Sequence, residues 1–163
     1  MTPDLRPEAL SGHTDRLFRA AWAMCGSRED AEDLVQETFV RVLSKRRVIA
    51  SDLDEVPYLL RALRNTFVST LRTKGRRAKT TTLDDGDARL VAGPATSPSA
   101  MTEAREVFAV IASLPEEYRD VVVAVDVLGL SYAETADAFK VPEGTVMSRL
   151  YRGRARVAKA VGA

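Results

Sequence analysis

The chain has 163 residues, 45% of them apolar but only 6% aromatic, with 24 basic and 23 acidic side chains and a formal net charge of +1. That is enough apolar material for one ordinary domain or two small ones, with cores built mainly from aliphatic side chains and Ala. Cys25 is the only cysteine and His13 the only histidine, which excludes an intramolecular disulfide and argues against a Cys/His metal centre.

The near-zero total hides a segregation of charge. Arg61, Arg64, Arg72, Lys74, Arg76, Arg77 and Lys79 follow one another with no acid between them, and Arg149, Arg152, Arg154, Arg156 and Lys159 crowd the end of the sequence. Two separated basic blocks suit a polyanion touched by both halves. No basic-then-apolar leader is visible and no apolar run approaches the roughly 20 residues that cross a bilayer, so a cytoplasmic protein without membrane insertion is expected. Cys25 follows Trp22 and Met24 in an apolar stretch and is expected to be a buried structural thiol.

In chain order, Leu17, Phe18, Ala21 and Trp22 recur at helical spacing over 14–24, and Gly26 then Ser27 supply a stop and a new cap. In the stretch SREDAEDLVQETF at 27–39, Ser27 and Asp30 have the spacing of a capping box, with Glu29 and Asp30 in the first turn. At 100° per residue, Ala31, Leu34, Val35, Thr38, Phe39 and Val42 share one face; Glu29, Asp30, Asp33, Gln36 and Glu37 share the other. Residues 48–56 read as a loop closed by Pro57, and 58–72 as a third long helix carrying Leu59, Leu60, Leu63, Phe67 and Leu71.

Residues 78–102 are rich in Thr, Ser, Gly, Pro and Asp and read as a flexible linker between a front bundle at 1–77 and a back domain at 103–163. Asp84, Asp85 and Asp87 within it read as solvated charge. The fold class expected is all-α, with two small helical domains. In the back domain helices are expected at 103–113, 116–128, 131–139 and 144–160. Ser131 with Glu134 forms a capping box, and 140–144 makes the turn before the last helix. Two helices joined this way form a helix-turn-helix.

On the last helix Val146, Leu150 and Val157 share an inner face, with Gly153 beside them where close packing would need a missing side chain. Thr145, Ser148, Arg149, Arg152, Arg156 and Lys159 fall opposite, a face suited to a major groove: early residues at base edges, later cations on phosphates. Arg154 falls off that stripe and is expected to be solvated or packed at the helix edge. No phosphate-binding glycine loop, metal cluster or paired base and nucleophile supports an enzyme or a cofactor. A conventional helix-turn-helix regulator, with the front bundle dimerising or sensing a ligand, remains open from these residues alone.

The motifs GSREDAEDLVQETF at 26–39, LRALRNTF at 60–67, LPEEYR at 114–119, LSYAETA at 130–136 and GTVMSRLYRGR at 144–154 together resemble the extracytoplasmic-function (ECF) sigma factors of the sigma-70 family over nearly the whole chain. The resemblance implies that Asp30, Asp33, Leu34, Gln36, Glu37 and Phe39 belong to a helix that docks on core RNA polymerase, with Leu34 and Phe39 supporting it from inside. It implies that Tyr58, Arg61 and Asn65, with the 48–56 loop, meet unwound −10 promoter DNA, while Arg72, Arg76 and Arg77 hold phosphates. Thr145, Ser148, Arg149, Arg152 and Arg156 are the corresponding candidates for the −35 element. An anti-sigma factor is a further candidate partner, because members of the family are often held inactive by one. The sequence departs from the family pattern at Tyr58, where Trp is common, at Ser69, where an acid is frequent, at Thr135, where Ile or Val is usual, and at Lys140, where the turn normally carries Gly. If that turn is left-handed, Lys costs about 1 kcal/mol relative to Gly.

Overall fold

A computed structural model describes residues 10–44, 55–80 and 99–162, with side chains of 76–80 and 99–101 left out. The 48–54 part of the expected loop, residues 81–98 of the expected linker and Ala163 lie outside the described residues. Within them all regular structure is helical: α1 (Thr14–Cys25), α2 (Arg28–Ser44), α3 (Glu55–Thr80), α4 (Ser99–Ser113), α5 (Glu116–Val122), α6 (Tyr132–Phe139) and α7 (Glu143–Ala160). Helix α5 runs on into a π-helical stretch, Val123–Val127.

The local signals act largely where they were expected. Gly26 takes a left-handed conformation at φ 74° and its N–H donates to the Trp22 carbonyl at 2.7 Å, closing α1. Ser27 then accepts from the Asp30 N–H at 3.5 Å, a long cap. Helix α3 begins at Glu55, before Pro57, because a proline in the first turn removes an N–H that has no intrahelical partner. It also runs to Thr80, and α4 begins at Ser99, so both ends of the 78–102 segment are helical.

Leu59, Leu60 and Leu63 of α3 and Leu17 of α1 are fully enclosed, each contributing about 1.5–3 kcal/mol of burial. Leu71, expected on the same helix, is by contrast 50% exposed. Front and back halves share one apolar cluster: α1 packs on α2, on α4 and on the π-helical stretch. Trp22 of α1 meets Phe108 of α4 edge-on at 5.2 Å, and Arg119 of α5 lies 4.7 Å from the centre of the Phe67 ring of α3.

In the back half Ser131 and Glu134 form the reciprocal capping box, and Gly153 lets α7 close on α5. A Cβ at 153 would stand 2.7 Å from Val122 Cγ2. Lys140 has φ 56°, the left-handed region that disfavours a side chain. Lys140→Gly is therefore expected to stabilise the chain by about 0.5–1 kcal/mol, read as a rise in the urea midpoint at unchanged slope. An unchanged or lowered midpoint would show that the lysine side chain repays its strain.

Cys25 closes α1 and is only partly covered, less enclosed than its apolar neighbours suggest. Burial, reinforced by the charge of Asp30 and opposed by Lys74 and Arg119, pushes its thiol from 9.0 up to about 12. The folded state thus holds the proton more tightly than the unfolded chain. This stability is fully present below pH 9 and is lost as pH rises from 9 toward 12. In the native protein at pH 8 the thiolate should be far scarcer than in a free thiol, so alkylation should be slower than that of glutathione by about two to three orders of magnitude. Modification at the rate of glutathione would contradict this.

Candidate nucleic-acid interface

Helix α2 separates its two faces cleanly. Asp30, Asp33, Gln36 and Glu37 are exposed, Leu34 is buried, and Phe39 is half-buried against the core. Glu37 is not a bare charge: Arg41, one turn on, donates from Nη2 to its Oε1 at 2.8 Å. Val40 and Leu43 extend the same exposed side as uncovered apolar residues.

Tyr58, Arg61 and Asn65, successive turns of α3, line a cleft of about 130 Å³ together with Arg41, Val42, Ala62 and Thr66. Sequence reasoning missed Arg41, whose spacing from Glu37 was the available signal. Arg72 is exposed farther along α3. Arg76 and Arg77 occupy its last turns, and their side chains lie outside the described residues.

Helix α7 presents Ser148 and Arg152 to solvent, with Thr145 and Arg149 partly covered. Ser148 Oγ donates to the Thr145 carbonyl at 3.1 Å. Arg156 is exposed but stacks on Tyr118 at 5.0 Å, and Arg149 borders a second cleft with Arg64, Glu116, Glu117 and Asp120. The basic stripe is therefore divided, with Arg156 turned toward Tyr118 of α5. Arg154 is paired, not merely solvated: Nε and Nη2 donate to the two Asp126 oxygens at 3.0 and 2.6 Å. That hydrogen bond raises its pKa, keeping the guanidinium charged. Tyr151, 78% exposed between Ser148 and Arg152, was also missed; an aromatic three residues after Ser148 on an outward face was the signal.

Among the described residues no group of His, Cys, Asp and Glu could hold a metal ion, and no helix is long and apolar enough to cross a membrane. The fold and these surfaces define a helix-turn-helix protein with a second helical unit bearing one acidic and one basic face. Residues 10–77 match the family described as Sigma-70 region 2, and residues 104–157 match Sigma-70, region 4. The chain is 36% identical over 150 residues to the ECF RNA polymerase sigma factor SigE of Mycolicibacterium smegmatis, covering 90% of this chain and 58% of that protein. It is 33% identical to the sigma factor SigM of Mycobacterium tuberculosis, covering 92% of this chain and 74% of that one. The chain belongs to the ECF sigma factors of the sigma-70 family. Its fold also matches that of the sigma factor RpoE in complex with the anti-sigma factor NepR from Bartonella quintana, with a TM-score of 0.76, 24% identity and 96% coverage of both chains.

Proposed function

We propose that this chain directs promoter-specific initiation of transcription by binding, with no catalysis of its own. Asp30, Asp33, Gln36 and Glu37 dock α2 on core RNA polymerase, with Leu34 and Phe39 fixing the helix from behind. Tyr58, Arg61 and Asn65 hold melted −10 DNA, with Arg72, Arg76 and Arg77 on its phosphates. Thr145, Ser148, Arg149, Arg152 and Arg156 engage the −35 element, where each good bidentate base contact discriminates by about 1–3 kcal/mol. Its place of action is the cytoplasm, and an anti-sigma protein is its expected regulator. The domains correspond to residues 1–77 and 103–163, joined by 78–102.

The observation that carries this reading is the small cleft on α3. Its volume of about 130 Å³ lies well below the roughly 300–1,000 Å³ of drug-sized ligand sites, and its wall combines an aromatic, two guanidiniums and an amide. Such a wall can stack on and hydrogen-bond a single unpaired base, whereas a duplex reader with one helix-turn-helix has no use for it. Holoenzyme assembled from core polymerase and this chain should protect two separated segments of its promoters and leave thymines near −10 reactive to permanganate. Protection of one palindromic duplex by the chain alone, with polymerase adding nothing, would replace this reading by a conventional regulator.

A further inference from the structure

The basic block on α3 is partly occupied by the chain itself. Arg64 sits one turn beyond Arg61 and beside Asn65, on the helix that carries the −10 candidates. Its Nε donates to Asp120 Oδ2 at 2.7 Å and its Nη2 to Glu116 Oε1 at 2.8 Å, both acids coming from α5 of the back half. The guanidinium also lies 5.9 Å from the centre of the Phe139 ring. One turn earlier, Arg61 Nε donates to the Ala138 carbonyl on α6 at 3.1 Å. Two cations of the α3 surface are thus held by the helix-turn-helix half, at sequence separations of 52 to 77 residues.

The chemistry of this grip is informative. A planar guanidinium taking one carboxylate oxygen on each of two nitrogens is arranged as it would be on a phosphate. Partial burial lowers the Arg64 pKa, but the Asp120 hydrogen bond and charge, with Glu116, more than offset that, so the cation is retained. Asp120 is itself enclosed and shared: Arg119 donates to its other oxygen from Nε at 3.2 Å and Nη2 at 3.0 Å. Glu116, by contrast, is 53% exposed, so the grip on Arg64 can exchange with solvent or with another anion.

Distance adds a second constraint. Elements centred near −10 and −35 lie about 25 base pairs apart, or roughly 85 Å at 3.4 Å per pair. A compact chain of this length has a radius of gyration of about 15 Å. With α3 packed on α6, the described arrangement brings the two DNA-reading surfaces together instead of setting them that far apart.

The geometry points to Arg64 as a nucleic-acid contact of the front domain, occupied in the free chain by Glu116 and Asp120 acting as a built-in phosphate mimic. The same two acids couple opening of the chain to exposure of its −10 surface: DNA and the back half compete for one guanidinium. This rests on the promoter-binding reading above.

The test uses the full chain and a fluorescein-labelled, A/T-rich 12-nucleotide single strand, with binding followed by anisotropy across a salt series and compactness by small-angle scattering. The Glu116→Gln/Asp120→Asn double variant should have a larger radius of gyration and bind the strand about 10-fold more tightly than wild type. Its log Kd should depend more steeply on log salt by about 0.7, the value for one added phosphate contact on a single strand. Adding Arg64→Ala should remove both gains. Because Asp120 is buried beside Arg119, Glu116→Gln alone serves as the variant that keeps the fold, with a gain of about 3-fold in the same direction. Equal affinity and salt slope with and without Arg64 in the opened background would overturn the contact. A double variant as compact and as weakly binding as wild type would overturn the mimic. Run-off transcription with wild type is scored in parallel: its absence defeats the promoter reading, while its presence beside unchanged strand binding defeats only the Arg64 proposal.

Discussion

Reversing two charges on α2, Asp33→Lys with Glu37→Lys, is expected to weaken core polymerase binding by at least about 100-fold and to remove run-off product. Both side chains are exposed on the face opposite Leu34 and Val35, so the fold should survive and helicity should match wild type. Truncating one partner of a hydrogen-bonded interfacial pair costs about 2–5 kcal/mol, and reversal adds repulsion. At 1.4 kcal/mol per factor of ten, even the low end for two sites exceeds 100-fold. Glu37 would have to give up its Arg41 partner to meet the polymerase, so Asp33→Lys alone should have the larger single effect. Unaltered affinity in the double variant would move the polymerase contact off this helix.

The second large effect concerns stability. Trp22→Ala is expected to cost about 3–5 kcal/mol, the range for deleting a large buried aromatic. Trp22 is almost fully enclosed, lies 6.0 Å from Phe18 and meets Phe108 edge-on across the junction of the two halves. It therefore supports both. Urea unfolding followed by circular dichroism should show one transition in wild type, shifted to markedly lower urea in the variant. Two transitions in wild type, with only the first one shifted, would show that the halves unfold independently and that the shared core contributes little.

The parts legible in the sequence are those specified locally. The Ser131 and Glu134 box, the helix stop at Gly26, the acid and apolar faces of α2 and the close approach at Gly153 each follow from residues within a few positions of one another, or from a side chain that is missing. Pro57 misled because the same residue both ends helices and opens them. The apolar run at 121–125 gave no sign that a π-helical stretch begins at Val123, since a continuous apolar run carries no period to read. The ties from Arg64 to Asp120 and from Arg61 to the Ala138 carbonyl were invisible for a different reason: both ends are polar groups that look solvated in isolation. The split of the α7 stripe was hidden likewise, because Arg156 stacks on Tyr118 of α5, a group that no helical wheel contains.

Promoter-specific initiation by this chain is tested by run-off transcription from a library of genomic fragments, with core polymerase in its presence and absence. Discrete start sites are expected that depend on the chain and share two sequence elements, centred near −35 and −10, with Arg152→Ala losing preference at the first and Arg61→Ala at the second. Transcripts that are the same with and without the chain, or start sites that share no such pair of elements, would contradict it.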